Sequence, residues 1–357
     1  MKWSRVKWLL IFCLLAADIF LGVRLLYGYR GTYTVSGAAQ EDASALLAEA
    51  GIAVSPEVIP DAAVPDFVYR FDLSADTAEN AVPEGGAEEG FVPDRTDPVV
   101  QLLTRALAAL SGGTVSAHFL LPDSTGSAFA FSNGDSAVCY PNFYVSYTCA
   151  GASGGQEAVD SFLASPESFS PYTGRGAKQA QEAAELFLEG YTGLDLSDST
   201  GYLRAGTRVR MRAHPEGVYF RDDTVIAVFS EEIGRGAYSP AVIAGTEVYV
   251  VLEGGAVRYF CGTWIPFLPS GTYRVEKLGQ LDILFAEKNR FGGSGEHTVS
   301  AMERRYYMLW DDAGHVFLRP AWQLDYTEET VVCDAVNGSV MLQTYHTDPD
   351  TRTEPRK

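Results

Sequence analysis

Gly151-Ala152-Ser153-Gly154-Gly155 fits the G-x-S-x-G spacing, in which glycines permit a sharp strand-to-helix turn that exposes a nucleophilic serine. Such a serine needs a parallel sheet to bring an acid and a histidine to it. Here every neighbour is small, as in a connector, and alternating βαβ spacing is absent, so Ser153 reads as part of a turn. The paired acids Asp222-Asp223 and Asp311-Asp312 have the composition of acid–base couples but fall where strand-to-strand turns are expected, and they read as solvated turns. Gly292-Gly293-Ser294-Gly295 lacks the following lysine and the preceding strand of a phosphate cradle. The histidines at 118, 214, 297, 315 and 346 make no HExxH or other metal pattern. Cysteines 139, 149, 261 and 333 lack metal-ligand spacing, and in a chain this large they read as buried free thiols rather than staples. No enzyme, cofactor site or metal site is expected from these residues.

The remaining polar residue in an unusual place is Asp18. Trp8 to Tyr27 form a run of twenty residues whose charges are Asp18 and Arg24, about 30 Å if helical, one hydrocarbon thickness. Lys2, Arg5 and Lys7 precede the run, so the positive-inside bias places residues 1–7 in the cytoplasm and everything after 27 outside. The small pair Ala16-Ala17 runs on into Asp18 and more apolar sequence, which fits an uncleaved anchor better than a signal peptide. A carboxyl at mid-membrane costs on the order of 3 kcal/mol unless it is neutral or satisfied by another helix, which makes Asp18 the candidate contact to a transmembrane partner.

Beyond the anchor the expected organisation is a tether at 28–43, a first unit at 44–150, a second at 151–275, a third unit or second half at 276–345, and a tail at 346–357. Each unit repeats one order, helix first and antiparallel meander after. Asp97-Pro98 starts a helix that Gly112-Gly113 stops, and strands follow with Asn133-Gly134 as a hairpin signal. AKQAQEAAELFLEG from Ala177 starts the second round, with Glu253-Gly254-Gly255 joining its last two strands, and LGQLDILFAEKN starts the third. Residues 74–97, rich in acid, Gly and Pro, form a loop-like insertion exposed to proteolysis. The fold class this predicts is α+β: a single N-terminal transmembrane helix, then two to three helix-on-antiparallel-sheet units. Trp310, Phe317, Trp322 and Tyr326 read as core and sheet-face aromatics.

The whole chain carries a net charge of −19. Beyond the anchor, 23 basic residues face 45 acidic ones, a net of about −22, which opposes nucleic acid and anionic polymers as partners.

Trp3-Ser4-Arg5-Val6-Lys7 followed by an apolar stretch and Asp18-Ile19-Phe20-Leu21 resembles the opening of the YycI family. Pro320-Ala321-Trp322 and Asp334-Ala335-Val336-Asn337-Gly338 are similar to motifs near that family's carboxyl end; Trp3, Ser4, Lys7, Asp18, Phe20, Pro320, Trp322, Ala335 and Gly338 carry the likeness. The insertion at 74–97 departs from it. The resemblance implies a membrane-anchored extracytoplasmic accessory regulator of a cell-wall two-component system, working beside a YycH-like companion and a YycG/WalK-like sensor kinase, with no catalytic residues. Two other classes compete: an extracytoplasmic peptide-binding or protease-inhibitory module of the PepSY type, and a membrane-anchored wall hydrolase.

Overall fold

The structure is a computed structural model that describes residues 37–49, 51–60, 64–73, 97–121, 126–193, 200–202, 208–235, 240–291, 297–311 and 314–345. The expected anchor at 8–27, the insertion up to 96 and the tail at 346–357 lie outside the described residues. Among the described residues no helix is long and apolar enough to cross a membrane.

Five helices are described: α1 Gly37–Ala48, α2 Pro98–Ser111, α3 Gly155–Ala164, α4 Gly174–Thr192 and α5 Gln280–Phe291. The strands are β1 Ile52–Val54, β2 Phe67–Phe71, β3 Val115–Leu120, β4 Ser127–Phe131, β5 Ser136–Cys139, β6 Tyr144–Thr148, β7 Ser170–Pro171, β8 Thr200–Tyr202 and β9 Arg208–Arg221. They continue as β10 Thr224–Arg235, β11 Ala241–Ile243, β12 Val248–Glu253, β13 Ala256–Thr263, β14 Gly271–Arg274, β15 His297–Trp310, β16 Val316–Tyr326, β17 Glu329–Asp334 and β18 Val340–Tyr345.

Local chemistry sets the element ends where the sequence placed them. Asp97 Oδ1 accepts from the Val99 amide at 2.8 Å, Pro98 follows it, and Gly112 closes α2 in the left-handed region at φ 65. Val99, Val100, Leu103, Ala106 and Leu107 then face one core. The Asn133-Gly134 and Gly254-Gly255 turns join β4 to β5 and β12 to β13.

The expectation of two to three separate helix-on-antiparallel-sheet units is overturned by how these strands pair. All eighteen belong to one mixed network. One arm runs β3–β4–β5–β6–β13–β12–β10–β9, antiparallel throughout, with β7 and β8 on the outer edge of β9. The other runs β14–β2–β16–β15, with β17 and β18 continuing from the edge of β16 that β2 also uses. β15 pairs in parallel with β1 and β11, and β11 pairs with β10 to join the arms. The reason is the edge of each short meander: an unpaired edge leaves backbone N–H and C=O groups open, and here β6 closes on β13 and β2 on β14 and β16.

Helices cover both faces of the first arm. Leu103 and Leu107 of α2 and Ala184 and Leu188 of α4 share the large core on one side, and Val159 and Phe162 of α3 pack with Ile226, Val251 and Tyr259 on the other. On the second arm Leu47 of α1 and Ile283 and Leu284 of α5 pack over Val299, Trp322, Leu324 and Val331. Each buried Leu, Ile, Val or Phe among them contributes about 1.5–3 kcal/mol of transfer free energy.

Candidate functional site

The β15–β16 connection, the end of β2, the start of α2 and the β5–β6 loop meet around a cleft of about 570 Å³. Its walls are Leu73, Pro98, Val99 and Pro141, with Asn142, Asp97, Trp310, Gly314 and His315 at the mouth. That volume lies in the range of small-ligand and side-chain pockets, and the apolar walls with few polar groups fit the same class. A smaller depression of about 330 Å³ beside His214, Glu232, Arg304 and Arg305 has no aromatic among its lining residues.

Trp310 ends β15 and is 42 % exposed, a large apolar ring left on the surface. It is stacked on Phe143, ring centroids 5.5 Å apart and planes 20° apart. Phe143 in turn meets Phe267, which meets Phe71, both at 5.7 Å, so an aromatic file runs from the cleft into the core. Phe143 is fully buried with φ 65, a left-handed backbone that a bulky residue adopts at a cost on the order of 1–3 kcal/mol. Burial of the ring among Phe267 and Trp264-side backbone, whose amide donates to the Phe143 carbonyl at 3.3 Å, offsets that cost and holds Trp310 at the mouth.

Beside the indole lies a chain of charged groups. Asp311 accepts twice from His315, Oδ1 from the backbone amide and Oδ2 from ring Nδ1, both at 2.8 Å. The other ring nitrogen, Nε2, is 3.1 Å from an Arg70 guanidinium nitrogen, which also lies 2.8 Å from Asp72 Oδ1. Arg70 is brought there by β2, where it stands opposite Phe317 in β16. Asp311 on one side and Arg70 on the other hold the imidazole in a fixed plane. An Asp–His pair of this kind resembles an acid–base couple, but the nitrogen that would take a substrate proton faces arginine, and the described residues that line the cleft include no serine or cysteine. Among the described residues, three carboxylates, Asp72, Asp97 and Asp311, stand against the guanidinium of Arg70.

Comparison with known proteins adds little to this. No family model matches the chain, and no curated protein matches it. Among solved structures, an uncharacterized protein from Eubacterium rectale aligns at 11 % identity and TM-score 0.38, covering 82 % of this chain and 90 % of its own. The Bacillus megaterium YpeB C-terminal domain aligns at 11 % identity and TM-score 0.28, covering 70 % of this chain and 97 % of its own. At these TM-scores neither likeness speaks to what the chain binds.

Of the residues singled out in the sequence, Trp3, Ser4, Lys7, Asp18 and Phe20 lie outside the described residues. The carboxyl-end residues come together as a structural turn. Pro320 pairs with Tyr306, and its carbonyl accepts from the Ala335 amide at 3.0 Å, so its missing N–H falls in the gap between the β2 pairing, which stops at Leu318, and the β17 pairing, which starts at Ala321. Trp322 is fully buried in the second core. Ala335 and Gly338 form the β17–β18 turn around buried Asp334, whose Oδ1 accepts from the Val336 amide at 2.7 Å and whose Oδ2 accepts from Tyr307 Oη at 3.1 Å and Arg319 at 2.9 Å. Ser153 is exposed just ahead of α3, and Asp222 and Asp223 form the two-residue β9–β10 turn. The cysteines at 139, 149, 261 and 333 are free thiols, and burial pushes all four above the ordinary thiol range, away from reactive thiolate.

Two readings change. Trp310 is no core aromatic but the rim of the cleft, and Asp311 is no merely solvated turn residue but the partner of His315. The spacing Asp311-Asp312-Ala313-Gly314-His315 was a visible signal for the second. The third member, Arg70, is 245 residues away in the chain and left no local trace.

Proposed function

We propose that this chain is a non-catalytic extracytoplasmic binding module, held at the outer face of the cell membrane by its amino-terminal stretch, that regulates a YycG/WalK-like sensor kinase alongside a YycH-like companion. The observation that carries the binding part is the Trp310 cleft: an exposed indole on a strained, buried support, walled by Leu73, Pro98, Val99 and Pro141. Exposed tryptophans set in concave apolar surroundings are the residues that dominate protein interfaces. The choice of kinase and companion rests on the likeness of Trp3, Ser4, Lys7, Asp18 and Phe20 to the YycI family opening.

The test is recovery of the two partners with the full-length chain. Trp310→Ala lowers that recovery several-fold, and Asp18→Leu changes it or changes the kinase's output while leaving the extracytoplasmic fold intact. Asp18→Asn is milder because the amide keeps a donor and an acceptor. Recovery and output indifferent to both substitutions would sink the regulator reading. A peptide-binding module that works alone uses the same cleft, and it differs in one respect: its isolated extracytoplasmic part retains full activity, whereas the regulator loses much of it when the amino-terminal stretch is exchanged.

A further inference from the structure

We infer that the Trp310 cleft takes a lysine or arginine side chain carried on an extended segment of a partner protein. This rests on the binding-module reading and adds the chemistry of the ligand. One face of the indole is stacked on Phe143, and Trp310 is 42 % exposed at the cleft mouth, a platform for a cation over its other face. Asp97 lines the cleft, and behind His315 stand Asp311, Arg70 and Asp72, so among the described residues three carboxylates face one guanidinium. Arg70 is itself engaged, by Asp72 at 2.8 Å and His315 at 3.1 Å, so an incoming carboxylate would compete with Asp72 for it while meeting two further negative charges. The chain as a whole, at −19, biases encounter the same way. The walls Leu73, Pro98, Val99 and Pro141 suit the aliphatic stem of a basic side chain and the backbone on either side of it, while the head group stays at the polar mouth.

Three capped pentapeptides of sequence Ala-Pro-Xaa-Pro-Ala, with Xaa lysine, glutamine or glutamate, test this by calorimetry against the purified full-length chain. The lysine peptide is expected to bind at least tenfold tighter than the glutamate peptide, with glutamine between. Trp310→Ala should weaken the lysine peptide about tenfold. Asp97→Asn preserves the helix cap, since asparagine caps as well as aspartate, yet should weaken it several-fold; Glu182→Gln, which removes the same charge from an exposed site on α4, should not. Equal binding of the three peptides, no binding of any, or equal effects of Asp97→Asn and Glu182→Gln would overturn the cation assignment. If the lysine peptide binds as expected while kinase recovery ignores Trp310→Ala, the cation site stands and the regulator reading fails. If recovery depends on Trp310 but no peptide is preferred, the reverse holds.

Discussion

Glu231 is the residue with the largest electrostatic consequence outside the cleft. Its side chain is completely buried; Oε2 accepts from the Ile265 amide at 3.0 Å, and Oε1 meets no hydrogen-bond partner among the described residues. Burial pushes its carboxyl up to about 8 from an ordinary value near 4.5, with the Ile265 amide opposing the shift. A carboxyl raised in the folded state holds its proton where the unfolded chain has lost it. Its contribution is therefore fully present below pH 4.5 and is lost as pH rises through 8. Chemical denaturation at pH 6 and pH 9 should show stability falling by on the order of a few kcal/mol between them from this group, and Glu231→Gln should flatten that fall. A wild-type chain equally stable at both values, or a variant with the same slope, would show that Glu231 is relieved in some other way. At the same scale, Trp310 can be changed with little cost to the fold because it is partly exposed, whereas Trp322 cannot.

At the scale of elements, two contacts decide whether the second arm keeps its helix and whether the first arm keeps its middle hairpin. α5 is tied to β17 through Arg290, whose Nε lies 2.7 Å from buried Glu287 and whose terminal nitrogen lies 2.6 Å from Glu329. Arg290→Met leaves Glu287 without its cation in a site where it also meets Tyr326 and Cys333, and a loss of about 3–5 kcal/mol is expected. Thermal melts would check it, and a loss under 1 kcal/mol would mean that the Arg290 pairs do not hold α5 to β17. In β13, a Cβ on Gly262 would stand 2.1 Å from the Glu247 carbonyl oxygen and 2.7 Å from the Val248 Cα, at φ 139. Backbone cannot swing aside as a side-chain tip can, so Gly262→Ala should prevent stable folding. Gly112→Ala, at φ 65 with nothing within 4 Å, should cost only about 1 kcal/mol. Comparable losses at the two sites, read from urea midpoints, would contradict the close approach of β12 and β13.

The whole molecule is bound by strand pairings that join distant parts of the chain. β2 finds its partners in β14 and β16, and β6 finds one in β13. A fragment of residues 44–150 therefore keeps the helix α2 and the β3–β6 meander but leaves both β2 and β6 with open edges. Expressed alone, it should show no cooperative melt by circular dichroism and should aggregate. A sharp, reversible transition in that fragment would mean that the meander is self-sufficient. The cleft obeys the same logic: the segment after β2, the end of β15, the β15–β16 connection, the start of α2 and the β5–β6 loop each line it, so no part of the chain carries it alone.

Helix ends, hairpin turns and the order of elements were legible in the sequence because their causes are local. Asp97 caps the amide two residues on, Gly112 adopts a backbone its neighbours would avoid, and Asn133-Gly134 turns the chain within four residues. The free thiols followed from size and spacing in the same way. The partner of each strand was not legible. A strand's alternation of buried and exposed residues says which face is inward and is the same whichever strand lies beside it. Loop closure adds only slowly to the cost of a distant partner, so sequence separation does not choose either. β6 could have ended a separate sheet; it pairs Tyr144 with Thr263 instead. That choice merged the expected units, and the register that sets Arg70 opposite Phe317 brought a guanidinium to His315 and put Trp310 at the mouth of a cleft. Side-chain types were in the sequence, but their meeting depends on edges and volumes that exist only once the sheet has closed.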